Sequence, residues 1–296
     1  MSYPLATTDT HVRLSDGRTL GYAEFGDPAG RPIFVFNGSA SRLFHPIDPA
    51  VDSAAGARII TVDRPGLGLS DFKPRRTLLD WADDIRELAD SLAIERFAIA
   101  GGSAGGPYAA ACAFRLPERI TALALISSLA PFDIPEVSAG MTRAYRMIPL
   151  LSRYAPWLLR LSQTFIMRNP EAAWKQFYKR LPECDRAALR AHPELDFKTL
   201  LLRDLPEIYR QGPRGIMWDM AVLTGPWGFS PAAIRVKTEL WQGTDDLNVP
   251  PAMGRYLAGA IPNSRLHLIA GQGHLMYVTQ WPEIVAFLVS DEKAKG

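Results

Sequence analysis

The sequence predicts an α/β fold: a mostly parallel eight-stranded sheet flanked by helices, with an inserted helical cap. Three observations lead there. Short apolar runs alternate with helical periodicity through the first half. Four of those runs are continuous stretches of apolar or β-branched residues, as expected of strands covered on both faces. After Pro131 the pattern turns helical for about a hundred residues before strand and helix alternate again.

Taken in order, Val12 and Leu14, then Leu20 and Tyr22, alternate around Asp16-Gly17, which reads as an opening hairpin. The continuous runs at 33–36, 59–62, 97–100 and 123–126 read as buried strands, each ending in a loop rich in Gly, Ser or Pro. Between the second and third, Leu78, Trp81, Ile85, Leu88 and Leu92 form one apolar stripe for a helix on the sheet. The cap is expected over 133–230, broken at Pro149, Pro156, Pro170, Pro182 and Pro206, with 1–132 and 231–296 forming one core. Strands then return near 239–241 and 266–269, with helices through Tyr256 and Leu257 and through Ile284, Phe287 and Leu288. The charged residues at 291–295 read as a frayed tail.

Composition excludes more than it identifies. Hydrophobic residues at 47% and charged residues at 22% of 296 fit a soluble globular chain, not a disordered or fibrous one. A net charge of +2 gives no footprint for nucleic acid or an anionic membrane, so no such partner is expected. Residues 1–5 lack the features of a signal peptide and no apolar run is long enough to span a bilayer, so a cytoplasmic protein is expected. Cys112 and Cys184 read as reduced thiols, Cys112 packed in an apolar helix. The five histidines form no metal-ligand pattern, and neither metal nor organic cofactor is expected.

The chemistry concentrates at Gly101-Gly102-Ser103-Ala104-Gly105, after a buried run and before a helix in which Tyr108, Cys112 and Leu116 fall four residues apart. A nucleophile presented on a sharp strand-to-helix turn needs small residues two before and two after it, and Gly101, Gly105 and Gly106 provide them. A phosphate cradle would need a following Lys-Ser or Lys-Thr, or G-x-G-x-x-G spacing, and neither is present. A serine needs a histidine to take its proton and a carboxylate to orient that histidine. His11, His45, His192 and His267 fall in the hairpin, the early loop, the cap and the last strand; His274, in the loop after that strand, is best placed. Asp245 and Asp246 follow the preceding strand, and Asp133 is a more distant candidate. Ala104 and Ser39 offer amides for an oxyanion, with Asn37 and Gly38 shaping the loop that carries Ser39.

With these residues placed, the sequence resembles the α/β-hydrolase family over nearly its whole length. Asp63-Arg64-Pro65-Gly66-Leu67-Gly68-Leu69-Ser70 is similar to the family's D-R-x-G-x-G-x-S loop, a structural element. Gly243, Asp246, Val249 and Pro250 match its G-x-x-D-x-x-V-P spacing, which selects Asp246 over Asp245, and Gly273-His274 matches its terminal Gly-His. The segment 226–230 lies where the cap returns to the sheet in some bacterial members and reads as a packing anchor. The chain departs from the family in having Asn37-Gly38 where His-Gly is common and Ala40 where a proline usually follows.

The resemblance implies acyl transfer from a small carboxylic ester by Ser103, His274 and Asp246, in a monomer or homodimer acting on a small molecule. Trp157, Tyr209, Met217 and Trp218 are candidate pocket residues, alongside Phe165, Trp174, Phe177 and Tyr178. Arg143, Arg146, Arg153, Arg160 and Arg168 read as a solvated helix face. Three other readings use the same frame. They are a proline-releasing aminopeptidase holding an amine on Glu207 or Asp219, a cofactor-free lyase or carbon–carbon bond hydrolase, and a ligand receptor with little turnover.

Overall fold

A computed structural model describes residues 10–138 and 140–290; residues 1–5 and the tail at 291–295 lie outside them. Strands β1 (His11–Arg13) and β2 (Thr19–Gly26) form the opening hairpin with Val12 opposite Leu20. β2 then runs antiparallel to β4 (Ala57–Val62). From there β3 (Arg31–Phe36), β5 (Phe97–Gly102), β6 (Ile120–Ile126), β7 (Thr238–Gly243) and β8 (Ser264–Ile269) extend the sheet in parallel, in the order β1-β2-β4-β3-β5-β6-β7-β8.

The two faces of the sheet divide the core by the two-residue period of a strand. Phe34 and Phe36 of β3, Ile60 and Val62 of β4, and Phe97 and Ile99 of β5 point to one side. There they meet α2 (Leu78–Ser91), α3 (Gly106–Arg115) and α10 (Pro251–Ala260). Ile33, Val35, Ile59, Ala98 and Ala100 point to the other. That face is covered by α11 (Tyr277–Val289) and the short α1 (Pro49–Ala54). Helix α2 starts at a capping box, in which Thr77 and Asp80 satisfy each other's backbone N–H groups.

Among the described residues between β6 and β7 come six α-helices: α4 (Arg143–Tyr154), α5 (Pro156–Arg168), α6 (Pro170–Arg180), α7 (Glu183–Ala191), α8 (Phe197–Ile208) and α9 (Arg214–Thr224). The prolines act differently from the expected breaks. Pro156 and Pro170 open α5 and α6, where the missing N–H costs nothing, and Pro182 precedes α7. Pro149 and Pro206 instead sit inside α4 and α8, each removing one helical hydrogen bond without ending the helix. On the return to the sheet, Trp227 is buried and Phe229 stacks on Phe114 of α3 at 5.0 Å. No helix among the described residues is long and apolar enough to cross a membrane.

The parallel registers pair Phe36 with Gly101, Gly102 with Ile126, Ile126 with Trp241, and Gly243 with Ile269. The carboxyl ends of β3, β5, β6, β7 and β8 therefore stand side by side, and the loops carrying Asn37, Ser103, Asp246 and His274 start from one edge.

Candidate active site

Ser103 is the first residue after β5 and takes φ +53°, a left-handed conformation that costs a side-chain-bearing residue about 1–2 kcal/mol. The turn is tight because nothing larger than glycine fits at positions 101, 105 and 106. A Cβ on Gly105 would lie 1.9 Å from the Phe36 carbonyl oxygen, one on Gly101 2.5 Å from the Ala109 Cβ, and one on Gly106 1.9 Å from the Ser128 Oγ. Strand β5, helix α3 and the end of β3 thus meet at backbone contact, and Ser103 is held proud of them.

The loop after β3 passes directly over this turn. A Cβ on Gly38 would lie 3.2 Å from that of Ser103. Asn37 bends the loop by donating its side-chain amide to the Phe44 carbonyl at 2.7 Å and the Ser41 carbonyl at 3.2 Å. From beneath, Arg64 donates to the carbonyls of Asn37 at 2.7 Å and Gly38 at 2.6 Å. In a trans peptide the N–H points opposite to the C=O, so the amides of Gly38 and Ser39 point away from Arg64.

His274 follows β8, and its Nδ1 lies 2.8 Å from Asp246 Oδ2. A carboxylate only accepts, so Nδ1 carries the proton and Nε2 keeps the lone pair. Asp246 is itself fixed by the N–H groups of Asn248 and Val249, both 2.9 Å from Oδ1. Asp245 faces away and bonds Thr244, while Asp133 is exposed. Burial works to lower the His274 pKa, but the charge and hydrogen bond of Asp246, with Asp185 beyond, hold it above the ordinary value. Gly243 is required because a Cβ there would lie 2.3 Å from the Gln272 carbonyl.

A cavity of about 220 Å³ joins these elements. Ser103, His274, Asn37, Gly38 and Ser39 line it, together with Phe44, His45, Ile47, Tyr277 and Trp281 from the core and Tyr145, Phe177, Phe197 and Leu201 from the six helices. Trp157, Tyr209, Met217 and Trp218 are not among its lining. Trp157 is 62% exposed; Tyr209 is buried with its hydroxyl on Gln163 at 2.6 Å; Trp218 packs edge-on against Phe72. Met217 is half-buried on the same helix as Trp218. Periodicity shows that a helix has an apolar face, but not which neighbour that face meets.

The carboxylates Glu207 and Asp219 are already engaged. Asp219, 1% exposed, bridges Arg64 and Arg76 and accepts the Tyr108 hydroxyl at 2.8 Å. Glu207 pairs with Arg42, whose guanidinium also meets Asp63 at 2.7 Å, and with Arg210. Asp204 accepts both the N–H and hydroxyl of Ser41. Helices α8 and α9 are therefore clamped to the core through buried polar groups.

A family model described as alpha/beta hydrolase fold matches residues 31–280. The chain belongs to the α/β-hydrolase fold family. Among relatives, the 2-hydroxy-6-oxononadienedioate/2-hydroxy-6-oxononatrienedioate hydrolase 2 of Pseudomonas putida is 27% identical, over 95% of this chain and 94% of that protein. The uncharacterized hydrolase YcgS of Bacillus subtilis is 33% identical over a shorter stretch, 38% of this chain and 39% of that protein. Among solved structures, a thermophilic esterase from Thermogutta terrifontis shares the fold with a TM-score of 0.64 at 22% identity, covering 94% of this chain and 96% of that one.

Two groups of this α/β hydrolase had no local signal in the sequence. Asp185 of α7 accepts the N–H of His274 at 3.1 Å and of Leu275 at 2.8 Å, and its carboxylate occupies the space a Cβ on Gly273 would need. His45 lines the cavity with its Nε2 on buried Asp52 at 2.7 Å, and Asp52 also accepts Trp281 Nε1–H at 2.8 Å. The partners of Asp185 lie 89 and 90 positions away along the chain, and although Asp52 is seven positions from His45, its other partner, Trp281, is 229 positions away. The other three histidines are occupied elsewhere: His267 stacks on Trp241 and bonds Glu239, His192 meets Glu194, and His11 lies on β1. Among the described residues, no three His, Cys, Asp or Glu side chains are grouped to hold a metal ion.

Proposed function

We propose that this α/β hydrolase cleaves a small, neutral carboxylic ester through an acyl-enzyme on Ser103. One observation carries the reading. A single apolar cavity is bordered by Ser103, His274 and the 37–39 loop, and no Lys, Arg, Asp or Glu is among the described residues that line it.

The chemistry follows from the roles. Asp246 holds the Nδ1–H of His274, so that Nε2 takes the Ser103 proton as the oxygen attacks the ester carbonyl. The amides of Ser39 and Ala104 receive the oxyanion, and losing either would raise the barrier by about 3 kcal/mol. His274 gives the proton to the leaving alcohol, then takes one from the water that releases the acid. Residues 133–230 act as the cap over a core of 1–132 and 231–296; Phe177, Phe197 and Leu201 supply the cap's share of the apolar wall.

The absence of lysine and arginine from the lining weighs against a charged substrate. The dienedioate named for the Pseudomonas putida relative carries carboxylates, which here would be desolvated with no Lys or Arg beside them. A substrate amine would find Asp219 and Glu207 paired to arginines. The test is hydrolysis of short-chain p-nitrophenyl esters by the wild type and Ser103→Ala, with labelling by a serine-directed phosphonate. Turnover and labelling lost together in the variant are expected; equal rates in the two proteins would refute the assignment. Labelling without turnover of any ester would favour a receptor.

A further inference from the structure

The hairpin of α4 and α5 wears its apolar side outward. Of the ten large apolar side chains that stand exposed among the described residues, eight lie between positions 145 and 165. On α4, Met147, Leu150 and Tyr154 fall at i, i+3 and i+7; on α5, Trp157, Leu161 and Phe165 fall at i, i+4 and i+8. These are the spacings of one helix face. In a helix that packs only on its own core this stripe turns inward. Here Tyr154 is 70% exposed and Trp157 and Leu161 are 62% exposed.

The charge of the same hairpin is one-sided. Arg143, Arg146, Arg153, Arg160 and Arg168 are all exposed, and no acidic residue lies between Glu136 and Glu171. The rest of the chain has the opposite balance, 28 basic side chains against 31 acidic. The chain's small net charge thus conceals a local basic, apolar surface.

We propose that the α4–α5 face docks on the surface of an anionic phospholipid bilayer. The aromatic and aliphatic side chains enter the boundary between headgroups and acyl chains, and the flanking arginines meet the lipid phosphates. A second copy of the chain is a poorer occupant. A two-fold contact through this face would set its arginines against one another, with no carboxylate of the hairpin to meet them. Docking stands independently of the reaction. Its consequence for substrate rests on the ester reading: α4 carries the exposed stripe on one side and, through Tyr145 on the other, part of the cavity wall, so docking brings the helix that borders the Ser103 cavity to the lipid boundary.

The experiment is flotation of the full chain with phosphatidylcholine vesicles, with and without phosphatidylglycerol, at rising salt. The wild type is expected to float with the anionic vesicles, about tenfold less with phosphatidylcholine alone, and less as salt rises. Arg153→Glu with Arg160→Glu, and separately Leu150→Ser with Leu161→Ser, are expected to abolish flotation. All four positions are exposed or face solvent on the hairpin, and circular dichroism checks that each variant is folded. If the leucine pair does not fold, the arginine pair decides alone. The proposal is overturned if the wild type floats with neither vesicle, or if the folded variants float as the wild type does. It is overturned as well if sedimentation velocity shows a wild-type dimer that the leucine pair turns into monomer without vesicle binding by the wild type, which would assign the face to a second copy.

Discussion

Replacing Asp219 by Asn removes one negative charge from between two buried guanidinium groups. In the native protein Asp219 is 1% exposed, and Arg64 and Arg76, both 2% exposed at the side chain, point into it with the Tyr108 hydroxyl at 2.8 Å. Arg64 keeps its bonds to the carbonyls of Asn37 and Gly38, but both cations lose their shared counter-charge. Breaking a buried pair in this way costs about 3–5 kcal/mol, because the charge left behind stays desolvated. At about 2 °C per kcal/mol for a chain of this size, the expected loss in Tm is about 6–10 °C, read by calorimetry at pH 7.

The pH dependence checks the same reasoning. Burial works to raise the Asp219 pKa, but the charges and hydrogen bonds of Arg64 and Arg76 overcome it and hold the group below its ordinary value. A depressed carboxylate contributes stability above its unfolded pKa and loses it as pH falls through the folded one. The gap between wild type and Asp219→Asn should therefore be constant above about pH 4 and close only below it. Ester hydrolysis should fall as well, since Arg64 ties this ion pair to the loop carrying Ser39. A Tm unchanged within about 1 °C would refute the account, because one of the ion pairs would then carry no net energy.

Two further substitutions test the neighbouring carboxylates. Asp204 is pushed up to about 7 by burial, with Asp63 and Glu207 adding to it and the Ser41 donors opposing it. An acid raised on folding contributes stability that is complete below its unfolded pKa of about 4 and is lost as pH rises through 7, so Asp204→Asn should gain Tm over the wild type across that window and hold the gain above it. A gap that does not change with pH would count against it. Asp185→Asn removes an anion that helps hold the His274 pKa up, so the acid limb of kcat/KM should move to lower pH, with kcat down about tenfold, or ~1.4 kcal/mol, as the two loop N–H bonds weaken. An unshifted limb would show that Asp185 shapes the loop without acting on the base.

What the sequence determined was local. Runs such as 33–36 and 97–100 are apolar at every position, which only a strand buried on both faces requires, so the sheet was legible without coordinates. The turn around Ser103 was legible because its glycines answer a backbone contact within a few residues, and Asp246 because its motif fixes the turn that binds its own Oδ1. The tertiary structure decided what depends on distant elements meeting. Apolar positions of the inserted helices have the same spacing whether they face a cavity, as Phe177 does, or solvent, as Trp157 does. Carboxylates read alike in sequence, yet α7 brings Asp185 to the His274 loop and α9 buries Asp219 between two arginines. Periodicity and spacing record the geometry of one element, whereas partners are fixed only when several elements pack against each other.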